Sequence, residues 1–208
     1  ALVSKSFKFS QKKSWVKAIN SVISGDIRDD RVISELKKGS YDAIINLISL
    51  NHNDSDVLNP KLVNSINFLP NWVLLDKLSS NGLKKFIYFS TTQVYGNISN
   101  GLLNEKVNIN PSNVYGLTHH LSEKVCNFYN QKSNTQCIVF RLSNSFGEPV
   151  FFDNNCWSLA INNFCKNTID KGKIILKSDG KAKKDFIHYT DICGAVHFAM
   201  NHELKNFD

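Results

Sequence analysis

Three apolar runs, each a strand's length and each set off by helical patterns, constrain this chain more than anything else in it. Tyr41–Ile48 reads YDAIINLI, Phe86–Phe89 reads FIYF, and Gln136–Leu142 reads QCIVFRL. A strand with one wet face alternates apolar and polar residues. Uninterrupted short runs suit parallel strands covered on both faces. Between the runs lie an amphipathic segment over Asp30–Lys38 closed by Gly39, a longer one over Pro60–Ser80, and a third over Asn113–Asn130. Pro70 interrupts the second, so a kink is expected there. Strand and helix in regular alternation predict an α/β fold built on a doubly wound parallel sheet. Shorter elements are expected around these: a strand ending at Val3, a helix over Ser14–Val22, a helix over Cys156–Asn167, a strand over Lys173–Leu176, and a helix over Ile192–Asn201 capped by Asp191.

The chain has 208 residues, 42% hydrophobic and 21% charged, ordinary for a soluble globular protein. No apolar run approaches the length of a membrane span, and the basic N-terminus has no apolar segment behind it to serve as a secretory signal. Five cysteines without a CxxC pair read as reduced thiols in a cytoplasm, with no metal-binding spacing. Net charge is +7. Arginine appears only at Arg28, Arg31 and Arg141, and the lysines are scattered rather than interleaved with aromatics. The expectation is a cytoplasmic protein that binds neither nucleic acid nor membrane.

The chemistry concentrates in two segments. STTQVYG (Ser90–Gly96) follows the FIYF run, so Thr91 and Thr92 stand at a strand's carboxyl end, where open α/β sheets bind ligands. NPSNVYGLTHH (Asn110–His120) opens the third helical segment and places Tyr115 in its first turns. A strand-tip hydroxyl and a phenol on the next helix can converge on one substrate atom. Together the segments resemble the extended short-chain dehydrogenase/reductase family, the NAD-dependent nucleotide-sugar epimerases and dehydratases, whose core is a Rossmann-like sheet.

The resemblance implies catalytic roles for Thr91 and Tyr115, with His119 in the position of the family's lysine. It also implies that Asp26 and Ile27 of the GDIRD segment hold adenine. Leu47, Ile48 and Ser49 would line the nicotinamide ribose and diphosphate, and Asn67 and His119 would join the cofactor site. Thr92, Asn144 and Lys184 would contact a nucleotide-sugar substrate. The implied cofactor is NAD or NADP, with NAD favoured and Lys5 the one pointer to NADP. A homodimer through the Tyr115 helix is a further implication, and surface polysaccharide synthesis the implied setting.

The family's GxxGxxG turn occurs nowhere in the sequence. Residues 1–145 are therefore expected to form a partial dinucleotide-binding domain lacking its first strand, and 146–208 the start of a substrate region with returning sheet elements. The chain reads as a fragment of a longer protein.

A tyrosine ionises near pH 10 in water and acts as a base near neutrality only beside a positive charge. A residue four positions on shares its helix face; Lys124, nine positions on, does not substitute. Three readings of His119 stay open: a ribose ligand in an active enzyme, neutral or protonated; a member of a site that binds nucleotide sugar and cofactor but turns over slowly or not at all; or, with His120, a helix-surface residue beside a tyrosine of no consequence. Thr92 and Gln93 stand where the family's dehydratases carry an acidic pair, which favours epimerase or reductase chemistry over dehydration.

Overall fold

The computed structural model describes residues 2–3, 18–50, 59–97, 101–149, 155–176 and 178–204. They fall into two compact units that meet in sequence at Phe140 and Arg141.

In the first unit β1 (Leu2–Val3) runs parallel to β2 (Ile23–Ser24). Three longer strands form a sheet in the order β3 (Ala43–Asn46), β4 (Lys85–Thr91), β5 (Gln136–Leu142). β3 and β4 are parallel, with Ala43 opposite Lys85 and Asn46 opposite Tyr88. β4 is central, and Phe86, Ile87 and Tyr88 are all buried, as its unbroken apolar run requires.

Among the described residues four helices cover the sheet. In α1 (Asp30–Lys37) the Asp29 carboxylate accepts from the Arg31 N–H, satisfying a donor that the first turn leaves open. The long segment after Asn59 splits into α2 (Pro60–Asn67) and α3 (Leu69–Leu78). Pro70 has no N–H to give back to the preceding turn, so the chain breaks at Phe68 and restarts with the proline in the first turn of α3. The fourth helix, α4 (Val114–Lys132), is capped by Asn113, whose side chain accepts from the Gly116 N–H at 2.7 Å. Ile33, Leu74, Leu75, Leu78, Val125, Cys126 and Tyr129 from these helices close over Phe86, Tyr88 and Cys137 to make the core.

The second unit pairs β6 (Asn144–Phe146) in parallel with β7 (Phe186–His188) and adds α5 (Ala160–Lys171) and α6 (Tyr189–Asn201). Neither strand is visible as periodicity in the sequence, because each is three residues long.

Several expectations shift. Lys173–Leu176 forms no strand; Ile174, Ile175 and Leu176 stand about half exposed, with no partner strand among the described residues to complete a ladder. α6 begins at Tyr189, so the cap is His188, whose ring accepts from the Thr190 N–H, and Asp191 falls inside the first turn. Of the helix expected over Ser14–Val22, residues 14–17 lie outside the described residues and 18–22 form no α-helix.

Candidate active site

The carboxyl ends of β3 and β4 face the start of α4, and side chains close that junction. Thr91 caps the turn Thr92–Tyr95, its Oγ1 accepting from the Gln93 N–H at 3.2 Å. Gln93 Oε1 in turn accepts from Asn113 Nδ2 at 2.8 Å. The residue two after Thr91 is thus bonded to the residue two before Tyr115. Gly116 lets the helix come this close: a Cβ there would sit 2.6 Å from the Gln93 carbonyl oxygen. Gly96, at φ +74°, performs the matching service on the far side of the turn, where a Cβ would overlap the Asn110 carbonyl.

His119 lies one turn beyond Tyr115 and is 2% exposed. Its Nδ1 is 2.8 Å from the Tyr88 hydroxyl and its Nε2 is 3.1 Å from Ser49 Oγ. Its ring centroid is 4.3 Å from that of Tyr115. Burial pushes the imidazole down to about 4, against the smaller opposing pull of Glu123, so the ring is neutral at pH 7. His119 is therefore neither a surface residue nor a standing cation, because two phenols and the sheet enclose it. His120 is also largely covered, its Nδ1 3.7 Å from Glu123 Oε2, while Glu123 Oε1 accepts from the Ser90 hydroxyl at 2.5 Å. Burial raises the Tyr115 phenol above its ordinary range, and the Ser49 hydroxyl within its reach opposes the rise. Burial raises Tyr88 much further.

The other candidate residues take varied places. Leu47 is 69% exposed at the end of β3, and the Ile48 N–H donates to Asn46 Oδ1 at 3.1 Å. Asn67 is fully buried. It accepts from the Leu50 N–H at 2.7 Å and donates to Thr118 Oγ1 at 3.2 Å, so it clamps the segment carrying Ser49 from behind. Thr92 is half-buried in the turn after Thr91. Asp26 is exposed at the end of β2 and engages the Arg28 backbone and guanidinium, each at 2.9 Å, while Ile27 packs into the core. Asn144 and Lys184 belong to the second unit; Asn144 Nδ2 donates to the Asp185 carbonyl at 2.9 Å, and Lys184 is exposed. The structure therefore gathers Ser49, Asn67, Thr91, Thr92, Tyr115 and His119 at one end of the first unit's sheet.

Sequence reasoning missed Tyr88, Asn46, Asn71 and Ser122. Asn71 Nδ2 donates to the Asn67 carbonyl at 3.0 Å and to Ser122 Oγ at 2.9 Å, and its Oδ1 accepts from Asn46 Nδ2 at 2.5 Å. One signal was available: Asn67 and Asn71, like Thr118 and Ser122, repeat a polar residue at four-residue spacing within otherwise apolar helix faces. Among the described residues no group of His, Cys, Asp and Glu is placed to hold a metal, and no helix is long and apolar enough to cross a membrane.

The profile of the NAD dependent epimerase/dehydratase family matches residues 3–207. A dTDP-glucose 4,6-dehydratase of Streptomyces niveus is 23% identical over 178 residues, 86% of this chain and 51% of its own length. UDP-glucose 4-epimerase 4 of Oryza sativa subsp. japonica is 27% identical over 185 residues, 80% of this chain and 49% of its own. The crystal structure of UDP-glucuronic acid 4-epimerase from Bacillus cereus, in complex with UDP-glucuronic acid and NAD, superposes with a TM-score of 0.73 at 19% identity. That match covers 91% of this chain and 59% of the other, a likeness of fold. The chain spans about half the length of the curated relatives it matches.

Proposed function

We propose, from the premise that this chain belongs to the NAD dependent epimerase/dehydratase family, that it carries the catalytic half-site of a nucleotide-sugar epimerase or related oxidoreductase. The observation that carries the reading is the convergence of Tyr115, Ser49 and His119 at the strand ends, with the helix start latched to the turn after Thr91.

The residues present suit the nicotinamide-ribose end of NAD. Ser49 and Tyr115 offer hydroxyls, and Leu47, exposed two residues before Ser49, offers an apolar surface for a ring. Asp26 offers an acceptor for adenine at the end of β2. When bound, NAD would supply the hydride acceptor and the positive charge of its oxidised ring. Tyr115 Oη takes the proton of the sugar hydroxyl whose carbon loses hydride. The Thr91 hydroxyl, already accepting from Gln93, has its own hydrogen left to orient that oxygen. Neither Thr92 nor Gln93 is an acid, and Gln93 is bonded to Asn113, which supports epimerase or reductase chemistry over elimination of water. In the second unit Lys184 is the cation that would neutralise substrate phosphate and Asn144 the amide that would meet the sugar-nucleotide. Because a nucleoside diphosphate is a leaving group, the product is an activated glycosyl donor, suited to surface polysaccharide assembly. Exposed Leu117, Leu121 and Phe128 share one face of α4, which supports pairing with a second copy.

Incubation with NAD and a panel of nucleotide sugars, followed by chromatography of the products, tests this. Conversion of at least one sugar is expected, and Tyr115→Phe should slow it about 100-fold or more. Cofactor binding without any conversion would favour the second reading, a dinucleotide- and nucleotide-sugar-binding protein that turns over slowly or not at all. That reading draws on the neutral His119 and the raised Tyr115 phenol.

A further inference from the structure

No ammonium stands one turn after Tyr115. A hydrogen-bonded array occupies that place instead. Ser49 Oγ lies 2.8 Å from the Leu50 carbonyl oxygen and 3.1 Å from His119 Nε2. A serine has one proton. Given to the Leu50 carbonyl, it leaves Oγ as acceptor toward the imidazole, so Nε2 carries the ring hydrogen. Nδ1 is then the lone pair, and it accepts from the Tyr88 O–H at 2.8 Å. With the Ser49 proton on the Leu50 carbonyl the donors run one way, from Tyr88 through His119 to Ser49, and the Phe89 carbonyl is a further acceptor at the imidazole ring. Ser49 also reaches the Tyr115 phenol.

We propose that Ser49 is a positioning residue for Tyr115: its hydroxyl turns from the Leu50 carbonyl to the Tyr115 oxygen when that oxygen is without its proton, and His119 and Tyr88 hold Ser49 in place as that donor. This rests on the reading of Tyr115 as the proton-transfer group. The proton from the sugar hydroxyl ends on Tyr115 Oη and goes no further. Tyr88, His119 and Ser49 each keep their own hydrogen, because a relay that passed protons along would end in a phenolate at Tyr88, which burial opposes strongly. The array stabilises charge by aligned donors where the family's motif has a lysine. Glu123 and His120 on α4, Tyr88 on β4 and the buried Cys126 are the titratable groups around it. The segment carrying Ser49 adds none between Ala43 and Leu50.

The test is a titration of the free protein labelled with ¹³Cζ-tyrosine, with Tyr115→Phe assigning the resonance. Ser49→Ala should raise the Tyr115 pKa by about one unit, the scale of one lost donor to the charged form. Ser49→Thr, which keeps the hydroxyl, should restore it, and Tyr88→Phe should move it the same way by less. Nitrogen-15 shifts should report hydrogen on His119 Nε2. In turnover, Ser49→Ala should lower kcat about tenfold at neutral pH with KM for the sugar unchanged, the gap closing at alkaline pH. An unmoved Tyr115 titration in both Ser49→Ala and Tyr88→Phe, or hydrogen on Nδ1 in the parent protein, overturns the proposal. The titration needs no substrate, so its outcome separates the two readings. A shifted titration without turnover keeps the role of Ser49 and removes the enzyme. Turnover with an unshifted titration does the reverse.

Discussion

His119 sets how the larger unit responds to acid. Its folded pKa lies near 4 and its unfolded value at 6.5, so below pH 6.5 the unfolded chain binds the extra proton and the folded chain refuses it. Stability attributable to this ring is therefore complete above pH 6.5, declines as pH falls toward 4, and is lost below that. The two values imply a span of roughly 3 kcal/mol. Urea unfolding at pH 7 and pH 4.5 should show the parent protein losing more stability than His119→Gln over that interval. Equal slopes would mean that the imidazole is protonated in place. His119→Lys should act the other way on chemistry, lowering the Tyr115 pKa by about 1–2 units through a fixed nearby charge. It should also cost about 1–3 kcal/mol, because the Tyr88 hydroxyl loses its acceptor. The tyrosine titration and thermal melts read the two effects separately. At this scale the sequence made Tyr115 and the His119 substitution legible, since a motif fixes their spacing. It hid Tyr88, because a phenol inside FIYF is indistinguishable from core packing and its partner is 31 residues away.

Helix α4 is held to the turn after Thr91 by surfaces that no propensity describes. Alanine is a better helix former than glycine by about 1 kcal/mol, so propensity alone says that Gly116→Ala stabilises. The added Cβ would stand 2.6 Å from a backbone oxygen of Gln93, which has no rotamer to escape into. Overpacking of this kind costs about 1–3 kcal/mol, and the start of α4 must move off the turn to relieve it. Gly116→Ala should therefore lower the melting temperature and cut turnover, because Tyr115 rides on the displaced end. A variant as stable and active as the parent would show that the junction is loose. The elements themselves were largely readable: the helix after Pro111, the interruption at Pro70 and FIYF as a buried strand follow from local chemistry. The junction was not, because it depends on which glycine meets which carbonyl after folding. The missing strand at Lys173–Leu176 and the short β6–β7 pair show the same limit, since a three-residue strand exists only by virtue of its neighbour.

Across the larger unit, one buried polar array joins elements that the sequence keeps apart. Asn46 on β3, Asn67 ending α2, Asn71 on α3 and Ser122 on α4 bond to one another in the interior of the unit. Asn71 is the hub: its one amide satisfies the Asn46 amide, the Asn67 carbonyl and the Ser122 hydroxyl. An apolar replacement removes one side chain but strands several partners, and each stranded buried group costs about 1–3 kcal/mol. Asn71→Leu, which keeps the branched four-atom side chain but adds some bulk, should therefore destabilise by about 3 kcal/mol or more even though it makes the interior more hydrophobic. Asn64→Ala, on the exposed side of α2, should stay within about 0.5 kcal/mol and serves as the control. The loss should reach the candidate site as well. Asn71 holds the Asn67 carbonyl, and Asn67 holds the Leu50 N–H beside Ser49, so amide exchange at Leu50 should quicken in Asn71→Leu and remain slow in the control. If Asn71→Leu instead unfolds at higher urea with Leu50 still protected, the array is a passive filling of the core, and the seat of Ser49 depends on β3 alone.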